Sequence, residues 1–221
     1  MLAAAGSGQR LGAGGPKALV EVAGRPLIAW SLAALEEAAG ITAITVAAPP
    51  GHEQRIAELA PGATVVTGGT SRAESVALAL ESVDAATVAI HDAARPLLSA
   101  ELVDRLIDRL RRSAAAAVIA AAPVADTLKR AGEGGAVAAT VDRDGLWSAQ
   151  TPQVFRVEAL RRAADAARAR GDLERATDEA WLIERDGGTV LLEPAGIPNL
   201  KVTDAADLAV AAALLEARAQ A

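Results

Sequence analysis

Cysteine and tyrosine are absent from this chain, and phenylalanine and methionine occur once each. Neither a disulfide nor a thiolate metal site can form, which agrees with a reducing compartment. With aromatics at 2% of residues, the core has to be built from valine, leucine, isoleucine and alanine, and alanine inflates the hydrophobic fraction of 52%. No apolar run of membrane-spanning length is free of charges and no basic-then-apolar leader opens the sequence, so a cytoplasmic location away from membranes is expected. Positive charge is in deficit as well. The net charge of −6 opposes a nucleic-acid surface, so any polyanion bound must be small and held locally. Histidine occurs only at His52 and His91, and no Ser/His/Asp set or His-rich metal cluster can be assembled.

Lysine is the last scarcity. Of the 22 basic residues only 3 are lysines, Lys17, Lys129 and Lys201. A chain that has drifted to arginine can retain lysine where a compact ammonium does what a guanidinium fork cannot. Lys17 and Lys201, in Gly/Pro-rich loops, invite that reading; Lys129, on an expected strand, does not.

What the chain has in abundance is small residues at its start. Ala3-Ala4-Ala5-Gly6-Ser7-Gly8-Gln9-Arg10-Leu11-Gly12 runs on to Pro16-Lys17. Such a loop lets backbone N–H groups approach phosphate oxygens, while Arg10 and Lys17 add fixed positive charge. It is not a P-loop, since Ala18 follows Lys17, and it is not a dinucleotide fingerprint, since Leu11 stands where a third glycine is required.

Strand and helix signals then alternate. Helices are expected from Pro26 to Gly40, His52 to Leu59, Ser71 to Leu80, Ser99 to Leu110, Val157 to Arg170, Asp178 to Arg185 and Asp204 to Arg218. Ser71 with Glu74 reads as a capping box. Strands are expected at 2–5, 41–48, 64–67, 87–92, 115–121 and 189–192. The 221 residues therefore suit a single α/β domain, Rossmann-like, with a mostly parallel sheet and helices on both faces. The alternation breaks at about 124–145, where two strands around Gly132-Glu133-Gly134-Gly135 read as a hairpin arm. Having little core of its own, the arm is expected to pack on a second subunit.

In such a sheet, ligands bind beyond the carboxyl ends of the strands. The polar residues there are Arg10, Lys17, Arg72, Ser75, and the His91-Asp92-Ala93-Ala94-Arg95-Pro96 segment. Asp92 suits either a hard cation such as Mg²⁺ or a turn cap before Pro96. Arg95 is either an anion clamp or the partner of an acid such as Asp92, and His91 is as readily a buried hydrogen-bonding residue as a base. Asp126-Thr127, Asp142-Arg143, Thr151-Pro152-Gln153, Thr177-Asp178-Glu179 and Asn199-Leu200-Lys201 complete the set; Thr177 alone could cap a helix. Cations, one or two carboxylates, hydroxyls and glycines suit phosphoryl or nucleotidyl transfer, where a protein positions groups and neutralises charge.

The loop with Pro16-Lys17, Asp92-Ala93-Ala94-Arg95-Pro96, Asp142-Arg143-x-Gly145-Leu146-Trp147, Thr151-Pro152-Gln153, Thr177-Asp178-Glu179 and Lys201-Val202-Thr203, in that order, resemble the 2-C-methyl-D-erythritol 4-phosphate cytidylyltransferases of non-mevalonate isoprenoid biosynthesis. The resemblance implies a homodimeric enzyme that joins CTP and methylerythritol phosphate. It implies that Ala4, Ala5, Gly6, Gly8, Ser75 and Ala93 surround CTP, that Arg10 and Lys17 stabilise charge on its α-phosphate, and that Asp92 holds Mg²⁺. It further implies that Arg95, Thr151, Thr177 and Lys201 line the sugar-phosphate pocket, with Asp126 and Thr127 nearby and Arg143 reaching in from the partner's arm. Family members usually carry several apolar residues and a proline before the loop, so the first strand is expected to be short here. The rival readings are a ribitol- or other polyol-phosphate cytidylyltransferase, which shares these segments, and a nucleotide-binding regulator without turnover, which has no need of Arg10, Lys17, Asp92 and Lys201 together.

Overall fold

The structure, a computed structural model, describes residues 1–6, 8, 15–196 and 198–220. The short β1 (Leu2–Ala3) leads into the glycine-rich loop, which a 3-10 turn over Lys17–Leu19 follows. A small ribbon, β2 (Glu21–Val22) and β3 (Arg25–Pro26), precedes α1 (Leu27–Glu37). Then come β4 (Thr45–Ala48), α2 (Glu53–Leu59), β5 (Thr64–Thr67), α3 (Arg72–Glu81), β6 (Thr87–Asp92) and α4 (Ala100–Arg111). After β7 (Ala117–Pro123), β8 (Leu128–Ala131) and β9 (Val137–Val141) pair as a separate two-stranded ribbon, exposed along almost all of its length. The long β10 (Trp147–Arg156), α5 (Val157–Arg170), α6 (Glu179–Arg185), β11 (Val190–Pro194) and α7 (Ala205–Ala219) finish the chain.

Seven strands form the main sheet in the order β11-β7-β10-β6-β1-β4-β5. All are parallel except β10, which runs antiparallel to both β6 and β7. The sequence does not announce β10. Pro152 and the polar Ser148, Gln150, Thr151 and Gln153 interrupt its apolar pattern, and the pairing with β7 shifts register between Ala149 and Gln153. A strand so marked reads as a loop, because proline and polar residues are depleted from central strands.

Side-chain alternation sends neighbouring strand residues to opposite faces. On β4, Val46 and Ala48 join the layer under α1, α2 and α4, while Ala47 joins the layer under α3, α5 and α6. Val154 and Phe155 on β10 divide in the same way. Phe155 and Leu106 are fully buried, and each such side chain contributes about 1.5–3 kcal/mol before chain entropy is subtracted. A smaller apolar cluster packs α7 against the β2–β3 ribbon and Leu97.

Local expectations meet two adjustments. The strand expected from residue 41 begins at Thr45, because Thr42 and Ala43 are exposed and pairing with β5 starts at Thr45–Thr64. Ser71 caps α3 by accepting from the Glu74 N–H, but the Glu74 carboxylate reaches past it to the backbone and hydroxyl of Thr70, at 2.6 and 2.7 Å. The full capping box lies instead on α7, between Asp204 and Asp207. Among the described residues no helix is long and apolar enough to cross a membrane.

Candidate active site

The carboxyl ends of β1, β5 and β6 open onto one cavity of about 360 Å³. Ala4, Ala5 and Gly6 form one wall, Gly69 to Arg72 with Ser75 another, and Asp92, Ala93, Lys17 and Lys201 the remainder. Small residues are required where the walls meet. A Cβ on Gly68 would lie 2.4 Å from the Ala5 Cβ and 2.9 Å from the Ala48 carbonyl. Gly8 has φ +69° and a Cβ there would stand 2.8 Å from the Gly15 carbonyl, while the Lys17 N–H donates to the Gly6 carbonyl at 3.1 Å. These contacts close the base of the loop and bring Lys17 to the cavity. Arg10 lies outside the described residues.

Ser75, buried in the first half of α3, accepts from the Gly69 N–H at 3.0 Å and donates to the Ser71 carbonyl at 2.7 Å. Its hydroxyl fixes the loop that faces the cavity.

At the end of β6, the Asp92 carboxylate is gripped by two cations. Arg72 donates from Nε to Oδ1 at 3.0 Å and Lys201 donates from Nζ to Oδ2 at 2.7 Å. Burial alone would raise this carboxyl, but the Arg72 and Lys201 charges outweigh it and hold Asp92 well below the usual carboxylate range. Arg72 turns its Nη1 to both oxygens of Glu179, at 2.7 and 2.9 Å. Burial opposes the Arg72 charge, and Glu179 with Asp92 more than restores it. Burial raises the Glu179 carboxyl against the pull of Arg72.

Behind Asp92 lies a second network. The Asp92 N–H donates to Thr151 Oγ1 at 3.0 Å, and Thr151 Oγ1 is 3.1 Å from His91 Nδ1, while His91 Nε2 is 3.1 Å from the Arg95 carbonyl. A carbonyl only accepts, so Nε2 carries the proton and Nδ1 accepts the threonine hydroxyl. His91 is fully buried, and desolvation lowers its pKa from 6.5 to about 4. With both ring nitrogens engaged inside the fold, it is a neutral structural link that lies outside the cavity's described lining. Among the described residues Arg95 makes no ion pair with an acid, and its Nη1 donates to the Asn199 carbonyl at 2.6 Å. Asn199 in turn donates to the Thr151 carbonyl at 2.7 Å, and the Val202 N–H donates to the Ala94 carbonyl at 2.8 Å, which docks the Lys201 loop on the end of β6.

The remaining sequence candidates lie apart from this cavity within one chain. Asp126, Thr127 and Arg143 are exposed at the foot of the β8–β9 ribbon, where the Arg143 Nη1 donates to the Ala125 carbonyl. Thr177 is exposed, and Asp178 caps α6 in its place by accepting from the Trp181 N–H. Arg72 and Glu179 carry more of the site than their sequence context announced. The available signal was a cation at the first position of a helix that follows Gly68-Gly69.

A mostly parallel α/β sheet whose strand ends combine a glycine-rich loop, one gripped carboxylate and cations from distant loops defines a nucleotidyltransferase. Comparison with known proteins narrows the class. The family model described as 2-C-methyl-D-erythritol 4-phosphate cytidylyltransferase matches residues 1–217, and the chain belongs to this family. The enzyme of that name from Saccharopolyspora erythraea is 44% identical over 224 residues, covering 97% of each chain. The one from Deinococcus radiodurans is 47% identical over 216 residues, covering 97% of this chain and 88% of its own. The crystal structure of the enzyme from Thermus thermophilus superposes with a TM-score of 0.81 at 37% identity, over 96% of both chains.

Proposed function

We propose that the protein transfers CMP from CTP to 2-C-methyl-D-erythritol 4-phosphate, releasing pyrophosphate and 4-diphosphocytidyl-2-C-methyl-D-erythritol, a step of isoprenoid precursor synthesis. The observation that carries the chemical reading is the convergence of Lys17, Asp92 and Lys201 on one cavity beside Ala4, Ala5 and Gly6. Family membership supplies the substrates.

The substrate phosphate monoester is already anionic. One of its oxygens attacks the CTP α-phosphorus, a new P–O bond forms, and the bond from that phosphorus to the pyrophosphate oxygen breaks. No general base is needed, which agrees with a His91 that is buried and outside the cavity's described lining. The obstacle is repulsion between polyanions, about 4 kcal/mol per pair of unit charges at 4 Å and an effective dielectric of 20. Lys17 and Arg10 counter the charge on the α-phosphate. Lys201, with Arg95 and Thr151 behind it, receives the polyol phosphate. Thr177 serves that pocket as well, with Asp126 and Thr127 near it and Arg143 reaching in from a second subunit's arm, so the protein acts as a homodimer of single domains with arms at about 124–145.

A Mg²⁺ ion fits Asp92. A hard cation of this kind is held by one or two carboxylates and takes its other ligands from nucleotide phosphates and water. The two Asp92 oxygens offer about four lone-pair sites, of which Arg72 and Lys201 each take one. Among the described residues no three acids or histidines cluster to form a protein-only cage. When bound, the ion supplies neutralisation of phosphate charge.

Pyrophosphate release tests the reading, with Mg²⁺ and each nucleoside triphosphate in turn, against methylerythritol phosphate and ribitol phosphate. Release with CTP and methylerythritol phosphate alone is the expected result. Preference for ribitol phosphate moves the protein to another substrate, and no release with any pair overturns the enzymatic reading.

A further inference from the structure

Arg72 occupies the first position of α3, where a cation opposes the helix dipole. Helix stability does not account for it there. Its partners do: Asp92 at the end of β6 takes Nε, and Glu179, in the first turn of α6 and 107 residues away in sequence, takes Nη1 with both oxygens. Glu179 is 2% exposed and lines no part of the cavity, whereas Arg72 does. A buried acid outside the cavity's described lining that sets both oxygens on one nitrogen of a cavity cation is placed to restrain that cation.

We infer that Glu179 is a positioning residue for the transfer reaction: it tethers Arg72 so that the guanidinium stays on Asp92 and does not follow incoming phosphates. The inference rests on the cytidylyltransferase reading above. Two acids, Asp92 and Glu179, balance two cations, Arg72 and Lys201. When Lys201 turns to the polyol phosphate, Asp92 retains Arg72, and Glu179 is what keeps Arg72 from joining the nucleotide. With the Glu179 charge removed, Arg72 is free to swing onto the triphosphate. Nucleotide then binds at least as well, but in a geometry that reacts poorly.

The test is steady-state kinetics on the full chain with Glu179→Gln, which keeps the shape and removes the charge. The expected result is a kcat lower by about 10- to 100-fold, a KM for CTP unchanged or lower, and a melting temperature close to wild type. Adding Arg72→Gln to Glu179→Gln lowers kcat no further than Arg72→Gln alone, because Glu179 acts only through Arg72. Should Glu179→Gln fail to fold, Arg72→Lys makes the same test, since one ammonium cannot hold both carboxylates in a planar fork. A wild-type kcat in the variants, a raised KM for CTP with kcat preserved, a kcat loss that tracks a fall in melting temperature, or additive losses in the double variant each overturn the inference. Wild-type turnover is measured alongside. Its absence overturns the cytidylyltransferase reading and the inference with it, whereas normal turnover with an unchanged Glu179→Gln variant overturns the inference alone.

Discussion

Lys201 and Asp92, 109 residues apart in the chain, meet at 2.7 Å on the wall of the cavity. The contact depends on backbone docking, because the Val202 N–H is bonded to the Ala94 carbonyl and Asn199 is fastened to Arg95 and Thr151. The Lys201 side chain remains 41% exposed, against 9% for that of Asp92. One partner is anchored and the other can exchange its carboxylate for a phosphate.

This asymmetry gives the two residues different mutational signatures. Lys201→Ala leaves Asp92 paired with Arg72, so folding should survive while turnover falls on the order of 10²–10³-fold, the usual cost of one preorganised charge contact. Lys17→Ala should behave in the same way. Asp92→Ala leaves Lys201 without its acid and Arg72 held by Glu179 alone, so stability should fall further in this variant than in either lysine variant. Pyrophosphate release and urea midpoints on the three variants check the contrast; near-normal rates in either lysine variant would remove its charge-stabilising role.

Gly68, packed behind the cavity, and Gly6, on its wall, separate fold from ligand. A Cβ on Gly68 collides with Ala5 and the Ala48 carbonyl, whereas a Cβ on Gly6 meets nothing within 4 Å. Gly68→Ala should therefore destabilise the protein by about 1–3 kcal/mol through overpacking. Gly6→Ala should leave the melting temperature within a few degrees and raise the KM for CTP. A stable Gly6→Ala enzyme with wild-type KM would place the nucleotide away from this wall.

How much of this was legible beforehand depended on whether a residue's role was local. The alternating elements, the Ser99 cap of α4 and the Gly-rich loop follow from patterns a few residues long, and so did the collection of Lys17, Asp92 and Lys201 at strand ends. β10 was not legible, because its burial between β6 and β7 is imposed by the sheet while Pro152 and its polar neighbours argue against a strand. Arg72 and Glu179 were visible as residues but not as a pair, since their contact spans 107 positions. His91 was open between base and buried link, and its surroundings decided it.

Those surroundings give a pH dependence with a definite sign. Burial holds the native His91 neutral down to about pH 4, whereas the unfolded side chain protonates near 6.5. Between these values the unfolded chain binds more protons, so stability falls as pH is lowered from about 6.5 to about 4, by up to ~3 kcal/mol from this residue. Urea unfolding of the wild type and of His91→Gln at intervals from pH 7 to 4 checks it. The variant should be less stable at pH 7, having lost the link between Thr151 and Arg95, and should show a shallower decline. An equally steep decline would assign the proton uptake to another group.

The remaining question is how Arg143, at the foot of an exposed ribbon and bonded to the Ala125 carbonyl of its own chain, serves a cavity whose described lining does not include it. If it acts across a dimer, each site combines Asp92 of one subunit with Arg143 of the other. Arg143→Ala and Asp92→Ala should then each be nearly inactive as homodimers. Mixed by co-expression or by unfolding and refolding together, half the dimers are hybrids, and each hybrid holds one site with both residues intact and one with neither. Activity should recover to about a quarter of wild type, as two-fold symmetry requires of a shared site. Pyrophosphate release from the mixture, compared with the sum of the separate variants, measures the recovery, and a mixture no more active than that sum would place Arg143 in the service of its own chain.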